Sequence, residues 1–398
     1  MRIGVYLGGS RPTAGGGHYF ERTLLKTISR RAGECQHEFV VFHWGKARDS
    51  REKIRYVNLS KNWRGRLGRR LWFLAAWGRD WWSGKGAVES ALGYLLLGEI
   101  QRHKVDVMWY LTPSCPTREV PYITVVWDLQ FRIQPFWPEM SSNGQWARQE
   151  QAYKVNIQRA SGIVTGTKVG KEEIISMYGA REDRIIMAPH PTPEDALGWR
   201  GESFGVREKF GIKGNFFLYP AQFWAHKNHV GLLEAMRLLK KRWDERLLLV
   251  LVGSDKGNRE YARQKIVDFG LEQEVRTLDF VEREDLLALY KEARALVYPS
   301  FCGPENLPPL EAFALGCPVL AADIPGAREQ LGEAALLFDP KSPKDMADKM
   351  MGFLRDNGLA RDLISRGRKV AEARQPDNFF NKVIDFIDDF AVYRKAWS

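Results

Sequence analysis

Cysteine is scarce and scattered: four in 398 residues, at positions 35, 115, 302 and 317, with no CxxC pair. That pattern excludes a disulfide-stapled domain, argues against a thiolate zinc site and suits a reducing compartment. Long apolar runs are lacking too. The longest, LLLVLVG at 247–253, falls far short of the roughly 20 residues that span a bilayer. No tract is low in complexity, so disorder is expected only near the ends and in one or two loops. Acid is the minority charge: 60 Lys and Arg against 49 Asp and Glu give a formal +11. Such an excess suits anionic partners. The opening MRIGVYLGG reads as a strand running into glycines, not as a signal peptide.

A chain of this length exceeds one ordinary core, so two domains of about 150–200 residues are expected. Strands read at 2–7, 38–43, 105–110, 123–127, 162–167 and 185–187, with helices at 20–31, 142–160 and 171–179. The pattern then restarts, with strands at 216–220, 247–253, 275–278 and 295–298 and helices at 230–241, 261–269 and 285–293. Strands alternating with helices indicate βαβ units and parallel sheets. The Pro-rich segment 187–198 is the linker candidate. The expected domains are 1–192 and 193–377, two doubly wound α/β units facing across a cleft. A last helix, starting near 378, has no strand after it and is expected to cross back over the linker. In such folds a ligand binds at the carboxyl ends of the strands.

The richest stretch is YPSFCGPENLPPLEAFALGCPVLAA at 298–322. It reads as strand, loop, helix, strand. Asn306 can cap the helix, Pro308 and Pro309 suit its first turn, and Gly316 suits its end. A helix start attracts anions, and Glu311, one turn in, can accept hydrogen bonds from sugar hydroxyls. Phosphate beside a polyol describes a nucleotide sugar. Gly15, Gly16 and Gly17 follow the first strand, where small residues let backbone N–H groups approach a diphosphate; a plain turn is the alternative. Lys227, in PAQFWAHKNH, would be a point charge for phosphate, or part of a solvated loop. His226 and His229 have no carboxylate or thiol at ligand spacing, so no metal is expected. Asp128 is either a turn cap or a group facing substrate, and Glu305 either a turn residue or a sugar contact.

Segment 61–85 stands apart. It carries seven Lys/Arg, one acid and five tryptophans, with apolar residues at 63, 67, 71, 74, 77 and 81. Tryptophan plus arginine on an amphipathic segment fits an anionic membrane surface. The alternatives are an ordinary core helix or a nucleic-acid surface, and no nucleic-acid motif supports the latter.

These residues together resemble the retaining glycosyltransferases of family 4 (glycosyl transferases group 1). The likeness is firm over 216–340, where HKN, LVGS and NLPPLEAFALGCPVLAADIPGAREQLGEAALLFDP fall in order. It is looser before, resting on the glycine loop, WDLQ and GIVTGT. It implies the GT-B fold, no metal or other cofactor, and transfer of a sugar from a nucleoside diphosphate to a glycan or lipid-linked acceptor by front-face attack. It implies that Gly16 and Gly17 approach the diphosphate, Lys227 neutralises it, Glu311 holds the ribose and residues 305–307 bind sugar and phosphate. Residues 277–281, with Phe280, would lie against the base. Lys227, Asp128 and Glu305 are the residues assigned to catalysis; Gln222, Asn306 and Leu307 join the donor site, and His18, Trp127 and Asp128 the sugar or acceptor pocket.

Three positions depart from the family pattern. Gly303 stands where a glutamate is usual, Gln222 where an arginine is, and Trp127 where a histidine contacts the sugar's 6-position. An indole there suits a 6-deoxy sugar such as rhamnose. The expected setting is bacterial-type surface polysaccharide synthesis in the cytoplasm, at the inner face of the membrane. The alternatives are an epimerase or phosphorylase on the same fold, or a non-catalytic scaffold.

Overall fold

The computed structural model describes residues 1–8, 15–45, 53–60, 86–203, 205–242 and 247–396. Two parallel sheets organise the chain. The first has seven strands: β1 (Arg2–Tyr6), β2 (Glu38–His43), β3 (Ile54–Asn58), β4 (Val107–Tyr110), β5 (Tyr122–Val125), β6 (Gly162–Thr165) and β7 (Ile185–Met187). Their order is β3-β2-β1-β4-β5-β6-β7. The second has six: β8 (Asn215–Pro220), β9 (Leu247–Val252), β10 (Val275–Leu278), β11 (Ala295–Tyr298), β12 (Val319–Ala322) and β13 (Ala335–Phe338), ordered β10-β9-β8-β11-β12-β13. Helices cover both faces, so the inner strands are apolar throughout rather than alternating; all six residues of β9 are buried.

The order reverses between β1 and β4 and again between β8 and β11. At such a switch point adjacent loops diverge and leave a crevice. The loops after β1, β8 and β11 therefore open together, and those are the loops carrying the glycines, Lys227 and the 299–306 segment. The two-domain α/β fold is the GT-B architecture that the resemblance implied.

The final helix runs Pro376–Lys395 and returns to the first sheet's side. Asp377 pairs with Arg30 at 2.8 Å and Arg31 at 2.6 Å, on the helix Gly16–Arg31. Phe379 meets Phe20 edge-on at 5.5 Å, and Phe380 lies beside Phe39 and Trp109. Apolar contact and surface ion pairs thus close the first unit with the end of the chain.

The expected elements shift in places. The first helix begins at Gly16, not Phe20, and takes two glycines into its opening turn. The helix expected over 142–160 starts at Gln145, after left-handed Asn143 and Gly144 break the preceding turn. Strand β3 and the helix Gly86–Arg102 were not anticipated. The membrane reading of 61–85 lies outside the described residues.

Candidate active site

The first wall grows from the N-terminal sheet. Gly15 has φ 79°, a left-handed region that favours glycine, and it turns the chain into the helix at Gly16. A Cβ on Gly17 would sit 3.0 Å from the Trp127 ring. The indole thus lies against the glycine turn, and Phe20 meets it edge-on at 5.8 Å. Its N–H is buried and has no hydrogen-bond partner among the described residues. Asp128 makes the turn contact, its Oδ1 accepting the Gln130 N–H at 3.0 Å in an Asx-type turn, and it also lines the cleft.

The opposite wall comes from the second sheet. Tyr219 donates from its hydroxyl to the Lys227 carbonyl at 2.6 Å. Asn228, at φ 57°, caps the helix His229–Lys240 by accepting the Gly231 N–H. Its amide also donates to the carbonyls of Pro299 and Pro340. The main chain around Lys227 is therefore tied from several sides. The Lys227 ammonium donates to two hydroxyls, Tyr298 at 3.1 Å and Ser300 at 3.3 Å. Among the described residues its hydrogen-bond partners are neutral, which suits an anionic ligand.

The helix Leu307–Leu315 points its start at the same space. Asn306 stands at the cap position, but its side chain makes no cap bond. Its Oδ1 accepts from Tyr298 and its amide donates to the Gly303 carbonyl. Pro308 and Pro309 carry no N–H, so the helix start offers fewer donors than its motif suggests. Its dipole remains, and the burden of a diphosphate falls more heavily on Lys227. Gly303 has φ 100°, and a Cβ there would meet Asn306 Oδ1 at 2.9 Å. A side-chain-bearing residue does not fit this turn, which is a physical reason for the departure noted at this position.

Glu311 is almost fully buried. Its Oε2 accepts from the Tyr290 hydroxyl at 3.0 Å, and its Oε1 pairs with Arg283 at 2.8 Å. Arg283 also forks onto Asp195 at 2.8 and 3.1 Å, and lies 4.3 Å from the Tyr19 ring centre. Burial opposes the Arg283 charge, but Glu311 and Asp195 outweigh it and hold its pKa above the ordinary value. An ionised carboxylate offers about four lone-pair sites, so two engaged oxygens still leave Glu311 able to accept sugar hydroxyls.

Contacts from the first half close the cleft. Glu305 crosses to the N-terminal unit. Its Oε1 accepts the His190 N–H at 3.0 Å and pairs with Arg374 at 2.7 Å. Burial keeps the His190 ring below its usual pKa. Glu329 accepts the N–H groups of Lys168 and Val169 and so caps the helix Lys168–Tyr178. The space enclosed is about 340 Å³.

Of the residues singled out from the sequence, Gly16, Gly17, Trp127, Asp128, Gln222, Lys227, Glu305, Asn306, Leu307 and Glu311 line this cleft together. His18 and Phe280 are not part of its wall: His18 packs edge-on against Tyr19, and Phe280 is 44% exposed. The carboxylate of Glu305, expected at the sugar, is committed to Arg374 and His190. Tyr19, Gln130, His190, Arg283, Tyr290 and Tyr298 also line the cleft and escaped sequence reasoning. Gln130 and Tyr298 sit inside the WDLQ and YPSFCGPEN stretches without being singled out, and the other four belong to no local motif. Among the described residues, no group of three or more His, Cys, Asp or Glu side chains is placed to hold a metal ion.

The family model described as glycosyl transferases group 1 matches residues 205–370, the half that carries Lys227, Arg283 and Glu311. Within those residues the chain is similar to the group 1 glycosyl transferases. Among curated relatives, it is 29% identical over 241 residues to the O-antigen chain mannosyltransferase B of Escherichia coli, covering 60% of this chain and 62% of that one. It is 29% identical over 194 residues to the O-antigen chain mannosyltransferase RfbU of Salmonella typhimurium, covering 48% and 50%. The matches thus span less than two thirds of those proteins, 62% and 50%. Solved structures extend the likeness to the whole fold. WaaG, a glycosyltransferase involved in lipopolysaccharide biosynthesis, superposes with TM-score 0.70 at 16% identity, covering 97% of this chain and 99% of that one. Anabaena HepE, solved with UDP and glucose, does so with TM-score 0.70 at 17% identity, covering 98% and 100%. The cleft walls come from both halves, and the region that matches the family supplies the cationic one.

Proposed function

We propose that this chain transfers a glycosyl group from a nucleoside diphosphate sugar to a hydroxyl of a glycan or lipid-linked acceptor, in surface polysaccharide synthesis. The observation that carries this reading is the convergence, on one cleft, of an ammonium bonded to two hydroxyls, a helix start, a glycine turn and a buried carboxylate. In the proposed reaction the bond from the anomeric carbon to phosphate breaks and a bond to the acceptor oxygen forms, with retention. The acceptor proton passes to the departing diphosphate. Lys227 and the helix start at Leu307 stabilise the charge that develops there. Gly16 and Gly17 let the backbone approach the diphosphate, Glu311 accepts the ribose hydroxyls, and Asp128 and Trp127 face the sugar. No metal is required, so EDTA leaves turnover unchanged.

The deciding experiment is a thermal-shift screen against UDP, GDP and dTDP. A ligand that binds only the folded state raises the melting temperature, by about 2.7 kcal/mol of added stability at 100 times its Kd. No shift with any of the three would overturn the reading. On the donor sugar, Trp127 packed over Gly17 and Phe20 supports a methyl group at the 6-position. Turnover is expected with dTDP-rhamnose or GDP-fucose; turnover only with UDP-glucose or GDP-mannose would refute that choice. Docking on the inner face of the membrane through 61–85 is part of the same proposal. Flotation with anionic vesicles tests it, since replacing Trp72, Trp77 and Trp81 should abolish binding.

A further inference from the structure

A short strap of the N-terminal half reaches over to the two loops that frame Lys227. It runs from the helix Gln130–Ile133 to the helix Pro138–Ser141. Gln134 donates from its amide to the Phe301 carbonyl at 3.0 Å, 167 residues away in sequence. The same amide donates to Gln130, and Trp137 donates to Gln134 Oε1 at 2.8 Å, so the strap is internally braced. The Trp137 ring stacks on Phe301, with centroids 5.2 Å apart and planes 25° apart. Beyond it, Glu139 accepts the main-chain N–H of His226 at 2.9 Å and a second, short hydrogen bond from His226 Nδ1. The Glu139 side chain is only 7% exposed.

Those contacts converge on one element of the cleft. His226 lies within the 3-10 turn Ala225–Lys227, and Phe301 follows Ser300, whose hydroxyl receives the Lys227 ammonium. Phe301 also donates its N–H to the His226 carbonyl at 2.9 Å. The turn and the loop are thus one unit, and the N-terminal half grips it at both ends. Lys227 has one carboxylate-anchored neighbour in the turn, and that anchor comes from the other half of the molecule.

We infer that Glu139 is a positioning residue for Lys227: through His226 it couples apposition of the two halves to placement of the ammonium against the donor's diphosphate. This rests on the proposed reading of the cleft. When the halves part, the His226 N–H groups lose their acceptor and the turn is freed; when they meet, the turn is fixed with its charge facing the cleft. The main-chain bond needs only an acceptor oxygen, so glutamine at 139 should serve in part.

The test is a double-mutant cycle on binding of nucleoside diphosphate, measured by calorimetry with whichever of UDP, GDP or dTDP the wild-type chain binds, and with the matching nucleoside as control. Glu139→Ala should weaken diphosphate binding roughly 10- to 100-fold, the range for a lost hydrogen bond to a charged group, and leave nucleoside binding unchanged. Glu139→Gln should fall between. In a Lys227→Ala background, Glu139→Ala should cost little more, because its effect passes through the lysine. Equal losses with and without Lys227, or equal weakening of nucleoside and nucleotide, would assign Glu139 a merely structural role and overturn the inference. A wild-type chain that binds none of the three would instead overturn the reading of the cleft. Melting temperatures of all variants identify any that fail to fold; if Glu139→Ala is one of them, Glu139→Gln decides alone, and wild-type affinity of that variant for the diphosphate then sinks the proposal.

Discussion

Replacing Arg374 with methionine should leave one of the most buried charges in the protein without its counter-ion. The Glu305 side chain is 2% exposed and the Arg374 side chain 12%. The pair meets at 2.7 Å, and among the described residues the other donor to Glu305 Oε1 is the His190 main-chain N–H at 3.0 Å. Arg374 also donates to the carbonyls of His190 and Glu329 at 3.4 and 3.3 Å. Breaking a buried pair by removing one partner typically costs about 3–5 kcal/mol, chiefly because the survivor's charge stays buried and unpaired. The retained His190 bond places this case near the lower end, about 3 kcal/mol. The physical cause separates two outcomes. If the stranded charge is responsible, Glu305→Gln added to Arg374→Met restores about half of the loss, since glutamine keeps an acceptor for His190 and carries no charge. Urea unfolding of the full chain measures all three variants. A double variant no more stable than Arg374→Met alone would refute the reasoning and place the loss in packing.

Lys227→Ala should lower kcat roughly 30- to 1000-fold with the fold intact by circular dichroism, since one charged contact to a developing anion is worth about 2–4 kcal/mol; near-normal turnover counts against the site. His229 is fully buried, stacked on Phe223 at 4.3 Å, and burial holds its pKa down to about 3 from 6.5. The unfolded chain protonates first as pH falls, so this group's share of stability is intact above pH 6.5 and drops by about 2 kcal/mol between pH 7 and pH 5; His229→Phe keeps the stack and should flatten that loss, and an unchanged acid profile would disprove it. Gly303→Ala should destabilise by about 1–3 kcal/mol, because alanine is strained at φ 100° and its Cβ crowds Asn306; equal stability in urea would mean that the turn relaxes.

Much of the C-terminal half was legible because its signals are local. Gly316 ends the helix Leu307–Leu315 in a left-handed turn at φ 70°, and Asn228 caps the helix His229–Lys240 by accepting the Gly231 N–H; glycine, proline and asparagine report backbone geometry directly. The β-strands were readable for the same reason, since parallel strands covered on both faces are continuous apolar runs. β3 was missed because its residues 55–58, RYVN, are only partly buried at the sheet edge, where the apolar signal weakens. Asn306 shows where a motif misleads: the residue type and position were right for a cap, but Tyr298 and Gly303 claim its side chain.

What sequence could not supply is the partnering across the cleft. Glu305 meets His190 115 residues away, Glu139 meets His226 at 87, and Glu329 caps Lys168 at 161. No periodicity or spacing encodes such pairs, because each depends on two independently folded sheets being brought together. Their arrangement carries a consequence for mechanism. All three place a carboxylate on main-chain N–H groups of the other half, and a carboxylate on N–H groups is a directional bond whose strength falls steeply with misalignment. Apolar contact tolerates sliding; these contacts do not. The two walls therefore have few relative positions in which every acceptor is satisfied, and the cleft that holds Lys227 and Glu311 acquires a defined width from these hydrogen bonds between the halves.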